Sequence, residues 1–215
     1  MSPFSAEIPV PLSALSLVPE TAAPPTGIVV ILHGWGADAS DLAPLGEALG
    51  LPQFQYFFVN APFPHPQVPQ GRAWYNLEDS QFEGLAAARE ALISWLTQLS
   101  ADIQVPLERF ILGGFSQGGA MSLDVGLSLP LAGVFSLSGY LHFQPQPQHQ
   151  ALPPYLLIHG RFDQVVPFPM AQQAVQELQA IGVTVEFHEL GMGHEILPEE
   201  LAILKTYLLS RLEDS

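Results

Sequence analysis

The chain has 215 residues, 48% of them hydrophobic, with no cysteine and a formal net charge of −15. This length suits one α/β domain with a substantial core, so we expect a single domain over residues 1–215. The acidic balance argues against nucleic acid and anionic membrane surfaces as partners. The lack of cysteine excludes disulfides, thiolate metal sites and a cysteine nucleophile.

Apolar runs are short throughout the chain. None approaches the roughly 20 residues of a membrane span, so no stable membrane insertion is predicted. The N-terminal stretch lacks a basic segment and is interrupted by Pro3, Pro9 and Pro11, so a secretory signal is not apparent. The expected location is the cytoplasm.

Predicted strands and helices alternate along the chain. The pattern gives edge structure over 6–17, strands over 28–32 and 56–60, a helix over 84–100, a strand over 109–113, a helix over 120–127, strands over 133–138 and 154–159, a helix over 170–181, a strand over 183–190 and a helix over 198–212. Strands spaced by helices imply a mostly parallel sheet covered on both faces. The segments 61–76 and 143–153, rich in proline and glutamine, are predicted to be surface loops.

The stretch Gly-Phe-Ser-Gln-Gly at 114–118 has the sequence of a nucleophile elbow. It lies between a predicted buried strand and a predicted helix, so Ser116 is expected on a sharp turn with its hydroxyl exposed above the sheet. The pentapeptide alone would occur by chance in roughly one such chain in ten. Its strand–turn–helix context makes the signal strong, and Ser116 is the predicted nucleophile.

A serine nucleophile needs an imidazole base and a carboxylate that orients the imidazole. In this fold the chain order is serine, acid, histidine. Asp163 is the first acid directly after a strand that follows Ser116, and we predict that it is the acid. Asp124, about two turns into the elbow helix, and Glu189, near the end of the last strand, are the alternatives. Arg161 either lies on the surface or holds the Asp163 loop, and the sequence leaves this open.

Seven histidines compete for the role of base. His33 precedes the serine, which violates the chain order, and five others lie in proline- or glutamine-rich loops or within strands. His194 alone occupies a glycine-rich loop between the last strand and the final helix. Position and order therefore favour His194 as the base. No histidine or carboxylate cluster has the spacing of a metal site, so no metal is expected.

Two backbone N–H groups are expected to stabilise the negative charge of a tetrahedral intermediate. The N–H of Gln117, at the start of the elbow helix, is one predicted donor. The second is expected in the glycine-flanked loop at 33–36, directly after the first central strand.

In these motifs the chain resembles the phospholipase/carboxylesterase family of the α/β-hydrolase superfamily, which contains small bacterial carboxylesterases and acyl-protein thioesterases. The matching segments are 31–36, 60–62, 74–75, 112–120, 132–134, 137–139, 159–160 with Asp163 and 166–167, and 191–194. The resemblance implies the α/β-hydrolase fold and a triad of Ser116, Asp163 and His194. It further implies that the amides of Trp35 and Gln117 form the oxyanion hole.

The resemblance also implies that the loop through Trp74 and Tyr75 borders the acyl pocket. The family often has leucine or another aliphatic residue where this chain has Trp35, so the pocket shape is expected to differ. An indole beside the oxyanion hole predicts a preference for short or medium acyl chains.

The sequence thus predicts a serine carboxylesterase that uses no cofactor and acts on a small-molecule ester. The alternative is an acyl-protein thioesterase or lysophospholipase with the same residues and a longer acyl chain. A different class, a non-catalytic binding protein on a hydrolase scaffold, would show a broken triad or a filled elbow. The sequence leaves a homodimer open.

Overall fold

The computed structural model describes residues 2–5, 8, 11–18, 25–142, 145–149 and 151–213. The strands are β1 (Ala14–Leu17), β2 (Gly27–Leu32), β3 (Phe54–Val59), β4 (Phe63–Pro64), β5 (Arg72–Ala73), β6 (Phe110–Phe115), β7 (Gly133–Leu137), β8 (Tyr155–Gly160) and β9 (Val185–Leu190). The helices are α1 (Ala39–Leu42), α2 (Pro44–Leu49), α3 (Leu85–Ile103), α4 (Gln117–Val125), α5 (Phe168–Ala180) and α6 (Pro198–Glu213).

Seven of the described strands form one sheet in the order β1-β3-β2-β6-β7-β8-β9. The edge strand β1 runs antiparallel to β3, and the other neighbours pair in parallel. Strands β4 and β5 form a separate two-stranded hairpin. The prediction of a mostly parallel sheet is therefore confirmed, and the carboxyl ends of β2, β6 and β8 meet at one edge.

Successive side chains of β2 point to opposite faces of the sheet, and each face carries its own hydrophobic cluster. Ile28 and Val30 belong to a cluster that includes residues of α3, α4 and α5. Val29 and Ile31 belong to a second cluster that includes residues of α1, α2 and α6. Every residue of β2 is buried, as expected for a strand covered on both faces.

Most predicted elements are confirmed, with shifts of a few residues at their ends. The long helix predicted over 84–100 runs from Leu85 to Ile103, and the helix predicted from 120 begins already at Gln117. Helices α1 and α2 were not anticipated. Of the predicted edge structure over 6–17, β1 is observed at the edge of the sheet, whereas 6, 7, 9 and 10 lie outside the described residues.

The prediction of a surface loop over 61–76 is wrong in part. The segment contains the β4–β5 hairpin, and its two ends enter the core, where Ala61, Phe63, Trp74 and Tyr75 are buried. Burial of these aromatic side chains removes a large apolar surface from water and so stabilises the fold. The described residues of 143–153 form no helix or strand. Among the described residues, no helix is long and apolar enough to cross a membrane.

Candidate active site

Ser116 lies at the turn between β6 and α4, where the backbone is strained. Its φ of 54° and ψ of −116° are unusual for a residue with a side chain, and such a conformation costs about 1–3 kcal/mol. The Ser116 N–H donates to the carbonyl of Leu137 at 2.9 Å, which ties the turn to the end of β7. The hydroxyl is thereby held at the carboxyl edge of the sheet, as a nucleophile elbow requires.

Glycines at 114 and 118 allow the sheet and the elbow helix to approach each other closely. A Cβ atom at Gly118 would lie 2.1 Å from the carbonyl oxygen of Leu32, and one at Gly114 would lie 2.5 Å from the same atom. Both distances are far below van der Waals contact. The tight elbow therefore depends on the missing side chains at these two positions.

Asp163 lies in the loop after β8 and accepts hydrogen bonds on both carboxylate oxygens. Oδ2 is 2.7 Å from Nδ1 of His194, and Oδ1 accepts the N–H groups of Val165 and Val166, each at 2.8 Å. Burial by itself raises the pKa of the Asp163 carboxyl, but these hydrogen bonds outweigh it and leave the pKa below its usual value. The carboxylate is thus ionised and fixed in orientation beside His194.

His159 adds a further contact to this carboxylate. Its side chain is buried, and Nε2 lies 2.8 Å from the carbonyl oxygen of Val166 and 3.5 Å from Oδ2 of Asp163. Burial lowers the pKa of His159, so the ring is neutral at neutral pH and Nε2–H donates to the carbonyl. Sequence reasoning placed His159 at a strand end and missed this contact.

The two alternative acids have other partners. Asp124 is paired with Arg89 at 2.5 Å, and Glu189 is paired with Arg161. The guanidinium of Arg161 therefore contacts Glu189 and does not hold the Asp163 carboxylate. Asp163 is the acid that the structure brings to His194.

His194 lies in the loop between β9 and α6, with its ring packed on Phe115, centroid to centroid 4.7 Å. Phe115 immediately precedes Ser116, so this contact holds the imidazole next to the elbow. Ser116 and His194 line the same cleft, which has a volume of about 420 Å³. This volume lies at the small end of the range for ligand sites.

The cleft has apolar walls and one acidic residue. Its lining consists of Gly34, Trp35, Ala37, Asp41, Leu77, Phe115, Ser116, Tyr140, Val165, Val166, Met170 and His194. Trp35 contacts two rings: it is stacked on Phe4, with the centroids 6.0 Å apart, and edge-on to His65, with the centroids 4.5 Å apart. Sequence reasoning anticipated Trp35 here and missed Asp41, Leu77 and Tyr140.

Trp74 and Tyr75 lie in the hydrophobic core next to the site. Both side chains are fully buried and neither contributes to the lining of the cleft. The indole N–H of Trp74 donates to the carbonyl of His33 at 3.0 Å, which satisfies this buried donor. Whether these residues also border the acyl pocket stays a prediction; their aromatic surfaces fill the core behind the cleft.

The Gln117 side chain is hydrogen-bonded to the backbone of Trp74 and Tyr75. It is fully buried, with Oε1 accepting the N–H of Trp74 at 3.0 Å and Nε2 donating to the carbonyl of Tyr75 at 2.8 Å. The sequence predicts a role for the backbone of Gln117 only. The sequence does contain a signal for a side-chain role, because Gln117 is a large polar residue followed by the small or apolar residues 118–121.

Two backbone segments lie next to Ser116. Gln117 is the first residue of α4, and N–H groups in the first turn of a helix have no acceptor within the helix. The loop after β2 also approaches Ser116, since a Cβ at Gly34 would lie 3.5 Å from Cβ of Ser116. The next amide in that loop belongs to Trp35.

Among the described residues, no group of three or more histidine or carboxylate side chains is placed to hold a metal ion.

Comparison with known proteins gives a consistent result. Residues 14–211 match the phospholipase/carboxylesterase family. Acyl-protein thioesterase 1 of Neurospora crassa is 30% identical over 214 residues, which cover 87% of each chain. The crystal structure of esterase PE8 superposes with a TM-score of 0.85 at 32% identity, covering 94% of this chain and 99% of that one. A carboxylesterase of Bacillus cereus, 14% identical with a TM-score of 0.77, shares the fold over 94% of this chain and 95% of its own.

Proposed function

The chain belongs to the phospholipase/carboxylesterase family of α/β-hydrolases, and from this we propose that it is a serine carboxylesterase for short- to medium-chain esters. It is a serine-type hydrolase by family; the roles of single residues and the choice of substrate are the proposal. The observation that carries it is the 2.7 Å contact between Asp163 and His194, in the same cleft as the strained Ser116.

In the proposed mechanism, His194 takes the proton of Ser116 as the hydroxyl attacks the ester carbonyl. Asp163 holds the proton on Nδ1, so that Nε2 faces the serine as the base. The imidazolium then protonates the leaving alcohol, and an acyl group remains on Ser116. Water repeats the two steps on the acyl-enzyme and releases the carboxylic acid. No cofactor takes part.

The amides of Gln117 and Trp35 are the proposed oxyanion hole. Negative charge develops on the former carbonyl oxygen in the tetrahedral intermediate, and removal of one such donor costs about 100- to 1,000-fold in kcat in enzymes of this type. The proximity of the Gly34 loop to Ser116 and the position of Gln117 at the helix start support this assignment.

Replacement of the nucleophile tests the proposal. We expect Ser116→Ala to abolish ester hydrolysis and labelling by a fluorophosphonate, with an unchanged circular dichroism spectrum, because loss of a triad serine costs on the order of a million-fold in rate. Ser128→Ala, at a serine outside the cleft lining, is the matched control and should label and turn over like the wild type. Persistent labelling of the Ser116→Ala variant would assign the nucleophile to another serine.

The size of the cleft and the position of Trp35 support a limit on acyl-chain length. Each methylene that fits contributes roughly 0.8 kcal/mol, and one that does not fit adds strain. With p-nitrophenyl esters we expect kcat/KM to peak between about two and eight carbons. In Trp35→Leu the optimum should move to longer chains, because the indole is part of the lining; an unchanged profile would exclude Trp35 as the limit.

A second candidate is an acyl-protein thioesterase, which the name of the Neurospora crassa relative favours. It would use the same residues on a longer chain. Matched series of p-nitrophenyl esters and acyl thioesters, from two to sixteen carbons, separate the two candidates. Highest kcat/KM on palmitoyl thioesters would replace the carboxylesterase proposal by this one.

A further inference from the structure

The buried side chain of Gln117 bridges two segments that are far apart in the sequence. Its amide oxygen accepts the N–H of Trp74 at 3.0 Å, and its amide nitrogen donates to the carbonyl of Tyr75 at 2.8 Å. The exposed fraction of Gln117 is 0%. A side chain that both accepts and donates is needed here, because one neighbouring backbone group is a donor and the next is an acceptor.

The bridge continues from Trp74 to the loop after β2. The indole N–H of Trp74 donates to the carbonyl of His33 at 3.0 Å. His33 is itself fixed, since Nδ1 donates to the carbonyl of Gly34 at 2.8 Å and Nε2 accepts the N–H of Ala61 at 3.0 Å. Burial lowers the pKa of His33, so the neutral ring that this pattern requires is the stable form.

These contacts form one continuous path between the two proposed oxyanion donors. The path runs from the Gln117 side chain to Trp74, and from the Trp74 indole to His33, two residues before Trp35. We propose that the Gln117 side chain is a positioning residue: through Trp74 it fixes the Trp35 amide relative to the amide of Gln117 itself. This inference rests on the proposed function, in which both amides bind the oxyanion.

Position matters here because oxyanion donors act by geometry. They must lie about 2.7–3.1 Å from the oxygen of the tetrahedral intermediate, and a displacement of 1 Å far from the chemistry can cost about 100-fold. The ground-state ester depends less on these donors, so a misplaced donor lowers kcat more than it raises KM. A merely structural role for the amide would lower thermal stability and leave kcat unchanged.

Two substitutions at Gln117 separate these roles. Gln117→Met keeps the length of the side chain and removes both hydrogen bonds. Gln117→Glu keeps the shape, but only a protonated carboxyl group can donate to the carbonyl of Tyr75, whereas a carboxylate oxygen there would face another acceptor. In Gln117→Glu the hydrogen bond to the carbonyl of Tyr75 therefore depends on pH, whereas the amide of the wild type does not titrate.

The experiment measures kcat and KM for p-nitrophenyl butyrate between pH 5 and 9, together with the melting temperature. We expect Gln117→Met to lower kcat by about 10- to 100-fold and to change KM by less than about threefold. The kcat ratio of Gln117→Glu to the wild type should lie near one at the acidic end and fall as pH rises. Trp74→Phe, which removes the indole N–H together with part of the ring system, should also lower kcat.

Tyr207→Phe is the matched control. The Tyr207 hydroxyl is buried and bridges two backbone groups, the N–H of Val134 at 3.0 Å and the carbonyl of Pro154 at 2.7 Å. It does not line the cleft. This variant should have a lower melting temperature than the wild type and the same kcat.

The possible failures are distinguishable. If the wild type neither hydrolyses esters nor reacts with a fluorophosphonate, the proposed function and this inference both fall. If the wild type is active and Gln117→Met keeps its kcat, the inference alone is overturned. If Gln117→Met does not fold, the kcat ratio of Gln117→Glu decides, and a ratio that is independent of pH overturns the inference.

Discussion

The ionised state of Asp163 is maintained by its hydrogen bonds against the effect of burial. Because the folded-state pKa is lower than the unfolded one, ionisation of this carboxyl stabilises the fold above the unfolded pKa of about 3.9. That contribution disappears as the pH falls through the folded pKa. The same carboxylate orients His194, so one residue affects both the stability and the proposed chemistry.

Asp163→Asn tests both effects. We expect kcat to fall by roughly four orders of magnitude, because the amide favours the wrong imidazole tautomer and does not stabilise the imidazolium. The wild type should exceed the variant in free energy of unfolding by a constant amount above about pH 5, and by less below about pH 4. Nearly wild-type kcat in the variant would place the acid elsewhere, and Glu189 would be tested next.

At this scale the sequence predicts which residues meet but not which way every side chain points. Ser116, Asp163 and His194 each follow a parallel strand, and the carboxyl ends of such strands share an edge of the sheet. The inward orientation of Trp74 depends on a hydrogen bond to Gln117, 43 positions away. No local pattern encodes a contact of that separation, so the sequence does not predict which way the Trp74 side chain points.

The first turn of α6 contains a buried acid without a clear partner. Glu200 is 0% exposed, and among the described residues neither of its oxygens has a hydrogen-bond partner of good geometry. Burial raises its pKa to about 8, and the nearby backbone of Leu197 offsets this only in part. An acid at a helix N-terminus is usually favoured as the anion; here the cost of desolvation is larger.

The pH dependence of stability should show this burial. The unfolded pKa of a glutamate is about 4.3, so between that value and about 8 the folded state holds a proton that the unfolded state has released. Stability therefore falls as pH rises through this window. Between pH 5 and 8 we expect the free energy of unfolding of Glu200→Gln, relative to that of the wild type, to rise by up to roughly 1 kcal/mol per pH unit. Chemical unfolding at a series of pH values measures this difference. A constant difference across that range would show that Glu200 is ionised in the fold.

Elements were predictable where their pattern was long. Helix α3 spans 19 residues, enough to establish a helical period. Helices α1 and α2 have four and six residues, too few for periodicity. A capping signal was nevertheless present, because Asp38 accepts the N–H of Ser40 at 2.8 Å at the start of α1.

At the scale of the whole molecule, charge is distributed very unequally. The chain has 21 acidic and 6 basic residues, and the exposed carboxylate of Asp41 lies in the lining of the cleft. Such a field lowers the local concentration of anionic substrates and raises that of cationic ones.

Substrate charge should therefore affect turnover. We expect kcat/KM for p-nitrophenyl hemisuccinate to be about tenfold lower than for p-nitrophenyl butyrate at 10 mM salt, and the gap to narrow at 0.5 M salt because counterions screen the field. Asp41→Asn separates the local charge from the overall one. Equal rates on the two esters at low salt would contradict the expectation.

The carbonyl oxygen of Leu32 lies so close to Gly114 and Gly118 that it decides which residues those positions accept. In a library of all single substitutions, positions 114 and 118 should tolerate as little as position 116, although neither glycine has a group that reacts. Around this elbow, a position can therefore be intolerant to substitution either because its side chain reacts or because no side chain fits there. Engineering of the enzyme has more freedom at the rim, at Leu77 and Met170, than at the two glycines beside the nucleophile.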